Sequence, residues 1–290
     1  MQLKKLIHRY SVYLPILLLG ILSFFINYRY GFIGIMPMDN TVLYNGGYRV
    51  LNGYVPFTDY WLVTGPLLDY LNAFFFKIIN ISWSTFIIHS SLFNLFLALA
   101  SYFLFLELKL SKQFSFFYSF LISVLFYPVV GTPFVDHHST FFMILAFYSL
   151  IIAINKKREF FYLIIPFLLV LSFLSKQTPS AYGIIVIFLI IVLFCFFEKH
   201  NAKKIILYSM LGSVFSLFFL ILFFYFTKIN FSNFVTQYIL FASSIGENRL
   251  SNYDFNVINE ISNYKFLYYF IFLILMILII KIKNFNKKDF

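Results

Sequence analysis

Apolar residues are gathered along the chain in long blocks, each nearly free of charge and separated from the next by a short polar stretch. A bilayer core of about 30 Å is crossed by about 20 apolar helical residues. Eight blocks approach that length: residues 11–28, 84–107, 113–130, 139–155, 160–175, 180–197, 204–227 and 266–282. Backbone groups in lipid must be satisfied within their own segment, so each block predicts a helix. The stretch 66–80, PLLDYLNAFFFKIIN, is apolar but short and carries Asp69 and Lys77. It predicts a short helix lying at the membrane interface. The expected fold class is all-α: a polytopic membrane protein of about eight transmembrane helices, with the interfacial helix in its first outer loop and a single domain over 1–290.

Composition sharpens this picture. The chain has 290 residues, of which 61% are hydrophobic and 11% charged, with a mean hydropathy of +0.87. A soluble domain carries about 25% charged residues. Cys195 is the single cysteine, so the chain forms no intrachain disulfide and suggests no metal cluster. The first segment has a basic front and an apolar core but no small-residue cleavage site after it, which predicts a retained helix and not a removed signal peptide.

The charges orient the protein. With the N-terminus in the cytoplasm and the blocks alternating, 15 of the 22 Lys and Arg residues fall inside (Lys4, Lys5, Arg9, Lys109, Lys112, Lys156, Lys157, Arg158, Lys199, Lys203, Lys204, Lys281, Lys283, Lys287, Lys288). The outer face receives Arg29, Arg49, Lys77, Lys176, Lys228, Arg249 and Lys265. Of the acidic residues, 4 fall inside and 7 outside. Every short inner loop is basic, as the positive-inside rule requires. The net charge of +11 is thus a topology signal. Its dispersal over five membrane-adjacent segments argues against nucleic acid as a partner. The expected location is the plasma (inner) membrane, multi-pass, with both termini cytoplasmic. The outer loops are then 29–83, 131–138, 176–180 and 228–265, the last too short for a separate soluble domain.

Four polar constellations, scattered in sequence, fall on that outer face. The first, Asp39 to Tyr70, holds three aspartates, four glycines and two prolines between hydrophobic walls. Asp39 either caps the helical stretch that follows it or, partly desolvated near the bilayer surface, acts as a general base. Asp59, in the turn YVPFTDYW, either bonds its own backbone or supplies a second acidic group facing Asp39. Tyr54, Tyr60 and Trp61 either form the aromatic belt of the interface or stack on a sugar ring. Asp69 reads as a cap or a snorkelling residue.

The second constellation is Asp136-His137-His138. Adjacent helical residues point about 100° apart, so the two histidines do not easily share one metal ion. Asp136 or Ser139 suits a cap for the next helix, and either histidine suits a phosphate or sugar contact. His89, mid-helix beside Ser90, Ser91 and Asn94, predicts an interhelical hydrogen bond. The third is Lys176-Gln177 before Thr178 and Pro179. A lysine at a helix start suits a phosphate, or simply snorkels to the surface. Arg249 and Lys265 are weaker candidates of the same kind in the last outer loop.

The first loop resembles that of integral-membrane glycosyltransferases of the GT-C fold, in particular the dolichyl-phosphate-mannose protein mannosyltransferase and ArnT-like group, which use polyprenyl-phosphate sugars. The residues that carry the resemblance are Asp39, Gly53, Pro56, Phe57, Asp59, Gly65, Pro66 and Leu67, and the TPFVDHHS and SKQTP stretches sit where that family places short outer loops. Asn40 stands where the family usually has a second acidic residue. The resemblance implies transfer of a sugar from a polyprenyl-phosphate donor to a glycan, lipid or protein acceptor. Asp39 would be the catalytic base and Asp59 its support, with Lys176 and His137 or His138 on the lipid phosphate. There is no Gly-rich phosphate loop and no DxD motif, so neither a cofactor nor a metal is expected. The readings from other classes are a lipid-linked glycan flippase or transporter, and a non-catalytic membrane assembly subunit. Helix interiors almost free of charge favour an enzyme at one face over a transporter.

Overall fold

The computed structural model describes residues 2–34, 37–197, 201–251 and 256–283, with side chains over 13–34, 38–197, 201–248, 256–259 and 261–277. Among them the secondary structure is helical, apart from one isolated bridge between Pro56 and Tyr60. The helices are α1 (Gln2–Tyr30), α2 (Pro37–Leu51), α3 (Leu67–Ile78), α4 (Trp83–Glu107), α5 (Lys112–Leu125), α6 (Val135–Lys156), α7 (Phe160–Ser175), α8 (Gln177–Phe197) and α9 (Ala202–Thr227). After these come α10 (Phe231–Phe234), a π-helical turn Val235–Leu240, α11 (Phe241–Ser251), α12 (Val257–Asn263) and α13 (Lys265–Lys283). Residues 1–242 form one compact unit and 243–290 a second.

Five of the described helices are long and apolar enough to cross a membrane: α1 over Tyr13–Tyr30, α4, α6, α8 and α9. The pair α12 and α13, bent by 74° at its break, makes a sixth if it counts as one span. Two expected blocks give shorter helices. The block 113–130 is a helix of 14 residues followed by a 3-10 turn over Tyr127–Val129. Pro128 has no N–H to donate and disfavours helix at Tyr127, so the ladder stops. The block 160–175 is α7, with 16 residues. In the other direction α6 starts at Val135, four residues ahead of its apolar block.

In α5, α8 and α9 small residues face inward and large apolar ones outward. Every buried residue of α5 is a serine (Ser115, Ser119, Ser123), while Phe114, Phe117, Tyr118, Leu121 and Leu125 are exposed. In α8 the buried residues are Ser180, Gly183 and Ile187; in α9 they are Ile205, Gly212 and Ser216. Small residues between helices with large apolar ones outside is the arrangement expected where lipid, not water, covers the outer surface. Close approach follows: a Cβ added at Gly212 would overlap the backbone of Leu163 on α7.

Buried polar side chains then pin helix to helix. Asn94 on α4 donates to the carbonyls of Ser23 and Ser123, both at 2.9 Å, which ties α1, α4 and the end of α5 together. The Asn27 amide lies 3.0 Å from Ser90 Oγ and 3.2 Å from the Gly131 carbonyl. Ser101 meets the Tyr148 hydroxyl at 2.9 Å between α4 and α6, and Ser139 meets Ser172 at 3.0 Å between α6 and α7. These contacts fix rotation and register, which apolar packing alone leaves loose.

Candidate functional site

The loop between α2 and α3 is built around one strained residue. Phe57 is 1% exposed and has φ +63°, a left-handed backbone rarely adopted by an aromatic residue. Such a conformation persists only where its surroundings over-determine it. Here they do. The Phe57 carbonyl accepts from the Asn233 amide at 3.0 Å and the Gln237 amide at 2.9 Å. Its ring packs on Phe234 at 5.3 Å. Gln237 also accepts the Leu62 N–H at 3.0 Å, so one side chain clamps both limbs of the loop. Asp59, exposed, accepts the Val55 N–H at 2.6 Å and closes the turn between them.

The far end of the loop docks on the junction of α7 and α8. The Gly65 N–H donates to the Ser175 carbonyl at 3.1 Å. A Cβ at Gly65 would overlap the Leu174 carbonyl, so only glycine fits. The Gln177 amide reaches the carbonyls of Val63 and Tyr238, each at 3.3 Å. The Tyr238 hydroxyl in turn bonds the Phe173 carbonyl. Trp61 is 58% exposed, its ring edge-on to Phe241 at 5.3 Å.

Beneath the loop lies a carboxyl group. Asp69, in the first turn of α3, is 2% exposed and accepts the Tyr60 hydroxyl at 2.6 Å. Burial pushes its pKa up to about 7, against the opposing pull of the Tyr60 bond and the Arg49 charge. Burial and the neighbouring carboxylate push the Tyr60 phenol well above its ordinary value. The Arg49 guanidinium lies over the Tyr60 ring, 5.1 Å from its centre. Gly46 of α2 makes the room: a Cβ there would overlap the Asp69 carboxyl. Asp69 thus neither caps nor snorkels, as its sequence position predicts; it is buried between α2, α3 and Tyr60.

Next to it runs a chain of buried hydrogen bonds. Asn72 on α3 donates to the Leu43 carbonyl at 3.1 Å, which leaves its side-chain oxygen to accept from His89 Nδ1 at 2.7 Å. That contact puts the His89 proton on Nδ1, and its Nε2 lies 3.0 Å from His138 Nε2. His138 Nδ1 lies 3.1 Å from the Phe134 carbonyl and 3.2 Å from the Tyr127 hydroxyl. The expected interhelical bond of His89 is present, and its partner is one of the two histidines read as a phosphate contact.

The Asp136-His137-His138 motif splits three ways. His138 is fully buried in the chain above. The His137 ring lies against Phe126 at 5.4 Å and Phe134 at 6.0 Å, its Nδ1 buried without a partner. Asp136 does not cap α6, nor does Ser139: the residue before the helix is Phe134, with no side-chain cap. Asp136 instead pairs with Lys176 at 2.7 Å, both partly exposed. Lys176 therefore neither snorkels alone nor stands free. No group of three His, Cys, Asp or Glu placed to hold a metal occurs among the described residues.

Asp39 is exposed in the first turn of α2, and Asn40 beside it is buried and accepts the Thr132 hydroxyl at 2.9 Å. The side chains of Arg249, Asp254 and Glu260 lie outside the described residues, as do those of Lys4, Lys5, Arg9, Lys199 and the C-terminal lysines. The structure thus places Asp59, Tyr60 and Trp61 in one docked loop that Gln177 contacts, while Lys176, next to Gln177 in sequence, is bonded to Asp136 on α6. It adds Gln237 and Asn233, which sequence reading missed, and gives Asp69 and Arg49 partners that their sequence positions did not predict. The Gly46-Gly47 pair within α2 was the available signal for the buried carboxyl, because paired glycines inside a helix mark close approach. No family of known proteins, no curated protein and no solved structure matches the chain.

Proposed function

We propose that this protein is a membrane glycosyltransferase that moves a sugar from a polyprenyl-phosphate donor to a glycan, lipid or protein acceptor at the outer face of the plasma membrane. The observation that carries the reading is the loop itself. Of the residues that resemble the GT-C pattern, Phe57, Asp59, Gly65 and Leu67 are each committed to its fold, by a strained buried backbone, a turn bond, a close approach and core packing. Both aspartates are exposed, and of the two only Asp59 has a side-chain hydrogen bond among the described residues.

In this reading eight segments cross the bilayer: α1, α4, α5 with its 3-10 turn, α6, α7, α8, α9 and α13. The short helix α3 lies at the outer interface, and both termini are cytoplasmic. The Asp39 carboxylate takes the proton of the acceptor hydroxyl as its oxygen bonds to the anomeric carbon. The bond from that carbon to the phosphate oxygen breaks, and the leaving polyprenyl phosphate keeps the electron pair. Cationic charge stabilises the departing phosphate. Lys176 supplies it, held at the loop junction by Asp136, with His137 nearby in sequence; His138 is engaged in the interior and serves the scaffold. Trp61 presents an exposed ring to a sugar face, and Asp59 supports the site by holding the turn.

The test is a mass profile of surface glycans from a deletion strain complemented with the wild type or with Asp39→Asn. Loss of one defined sugar in both the deletion and the Asp39→Asn strain is expected. Loss of the whole glycan, with Asp39→Asn still functional, points instead to a flippase or an assembly subunit.

A further inference from the structure

A second site lies on the other side of the protein's apolar belt and is independent of the chemistry at the outer face. Helices α7, α8 and α9 diverge around an open groove with a cavity volume of about 1040 Å³, lined by Pro166, Ile191, Cys195, Ile206, Met210 and Ser213 among others. Along α9 its lining runs from Ala202 to Val214. At 1.5 Å per helical residue that is about 18 Å. One leaflet of hydrocarbon is about 15 Å deep, half of a bilayer core of about 30 Å. The groove therefore has the length of one leaflet's acyl chain, starting at the rim that carries the basic inner loops.

That rim is charged. Tyr162 lines both the groove and a small adjoining hollow of about 20 Å³, which is bounded by Lys157, Glu159 and Asn201. Lys204 pairs with Glu159 at 3.6 Å, and Lys156 pairs with Glu107 at 2.8 Å. Lys157 and Lys203 are exposed, and neither has a carboxylate partner among the described residues. Lys157 is moreover held in a left-handed conformation, φ +50°, where α6 ends. A groove that is apolar along its length and cationic at one end matches an amphiphile with an acyl chain and an anionic head. We propose that the groove between α7, α8 and α9 binds an anionic phospholipid of the inner leaflet, its acyl chain along α9 and its phosphate at Lys157 and Lys203. A neutral lipid lacks the charge that would meet this rim, whereas lysines near the membrane surface attract anionic headgroups.

The experiment uses the full chain in proteoliposomes doped with trace phosphatidylglycerol or phosphatidylcholine, each carrying a photoactivatable group on the acyl chain. Cross-linked residues are then mapped by mass spectrometry. Phosphatidylglycerol is expected to label 187–196 and 206–214 several-fold more than phosphatidylcholine does. Lys157→Gln combined with Lys203→Gln is expected to abolish that preference, and Ser213→Trp to reduce labelling of the groove by both lipids. Ser213 is exposed and the two lysines lie on the surface, so gel filtration confirms that each variant is intact. Equal labelling by the two lipids overturns the proposal. So does an undiminished preference in the double lysine variant, or protection of the groove by a protein helix.

Discussion

Asp69 is the residue whose chemistry departs furthest from its sequence context. A carboxyl that is protonated in the folded protein up to about pH 7, and ionised in the unfolded chain above 3.8, binds its proton more tightly when folded. Its contribution to stability is fully present below the unfolded value and is lost as the pH rises to about 7. The thermal midpoint in detergent should therefore fall between about pH 4 and pH 7 in the wild type and level off above that. Asp69→Asn removes the titration and can still accept from Tyr60. It should flatten that slope and be the more stable form at pH 8, by up to about 4 kcal/mol at 1.36 kcal/mol per pKa unit. A variant whose midpoint keeps the wild-type slope would show that Asp69 is not the group responsible. The burial of Asp69 was not legible in LLDYL, where the residue reads as one charge at the start of a short helix. It depends on Gly46, which lies 23 positions earlier on another helix. For the same reason the chain of contacts from Asn72 through His89 to His138 escapes a reading of each histidine alone. Asp59, by contrast, does what its local turn predicts.

At the scale of elements, the first loop behaves as a part clamped at both ends. Gly65→Ala places a methyl group against the Leu174 carbonyl, and backbone gives way less readily than a side-chain end. Overpacking of this kind costs about 1–3 kcal/mol, and a drop of that size in detergent unfolding is expected. Gln237→Leu leaves the Leu62 N–H unpaired and removes one donor from the Phe57 carbonyl. An unsatisfied buried group costs about 1–3 kcal/mol, so limited proteolysis should cut within residues 52–66 in this variant and not in the wild type. The existence of helices was legible, because an apolar block about 20 residues long has no other way to satisfy its backbone in lipid. Their edges were less so. Pro128 truncates α5 inside an apolar block, and α6 begins at Val135 and takes in the polar run DHHS, where Asp136 pairs with Lys176. The link between the first loop and Asn233 and Gln237 spans about 180 residues of sequence, and nothing local announces it.

At the scale of the whole molecule, the charge asymmetry and the inward-facing serines and glycines give one testable topology. With Cys195→Ala removing the single native thiol, Thr58→Cys should react with an impermeant maleimide in intact cells, and Lys112→Cys only after the membrane is opened. The reverse pattern would invert the account and move the docked loop to the cytoplasm. The transferase reading then rests on what happens to the donor. The most direct measurement is lipid mass spectrometry of the deletion strain. If Asp39 activates an acceptor against a polyprenyl-phosphate sugar, that monosaccharide lipid should accumulate in the deletion and in Asp39→Asn, and return to its ordinary level with the wild type. An unchanged monosaccharide lipid, or accumulation of a longer lipid-linked glycan in its place, would contradict a sugar transferase at this loop.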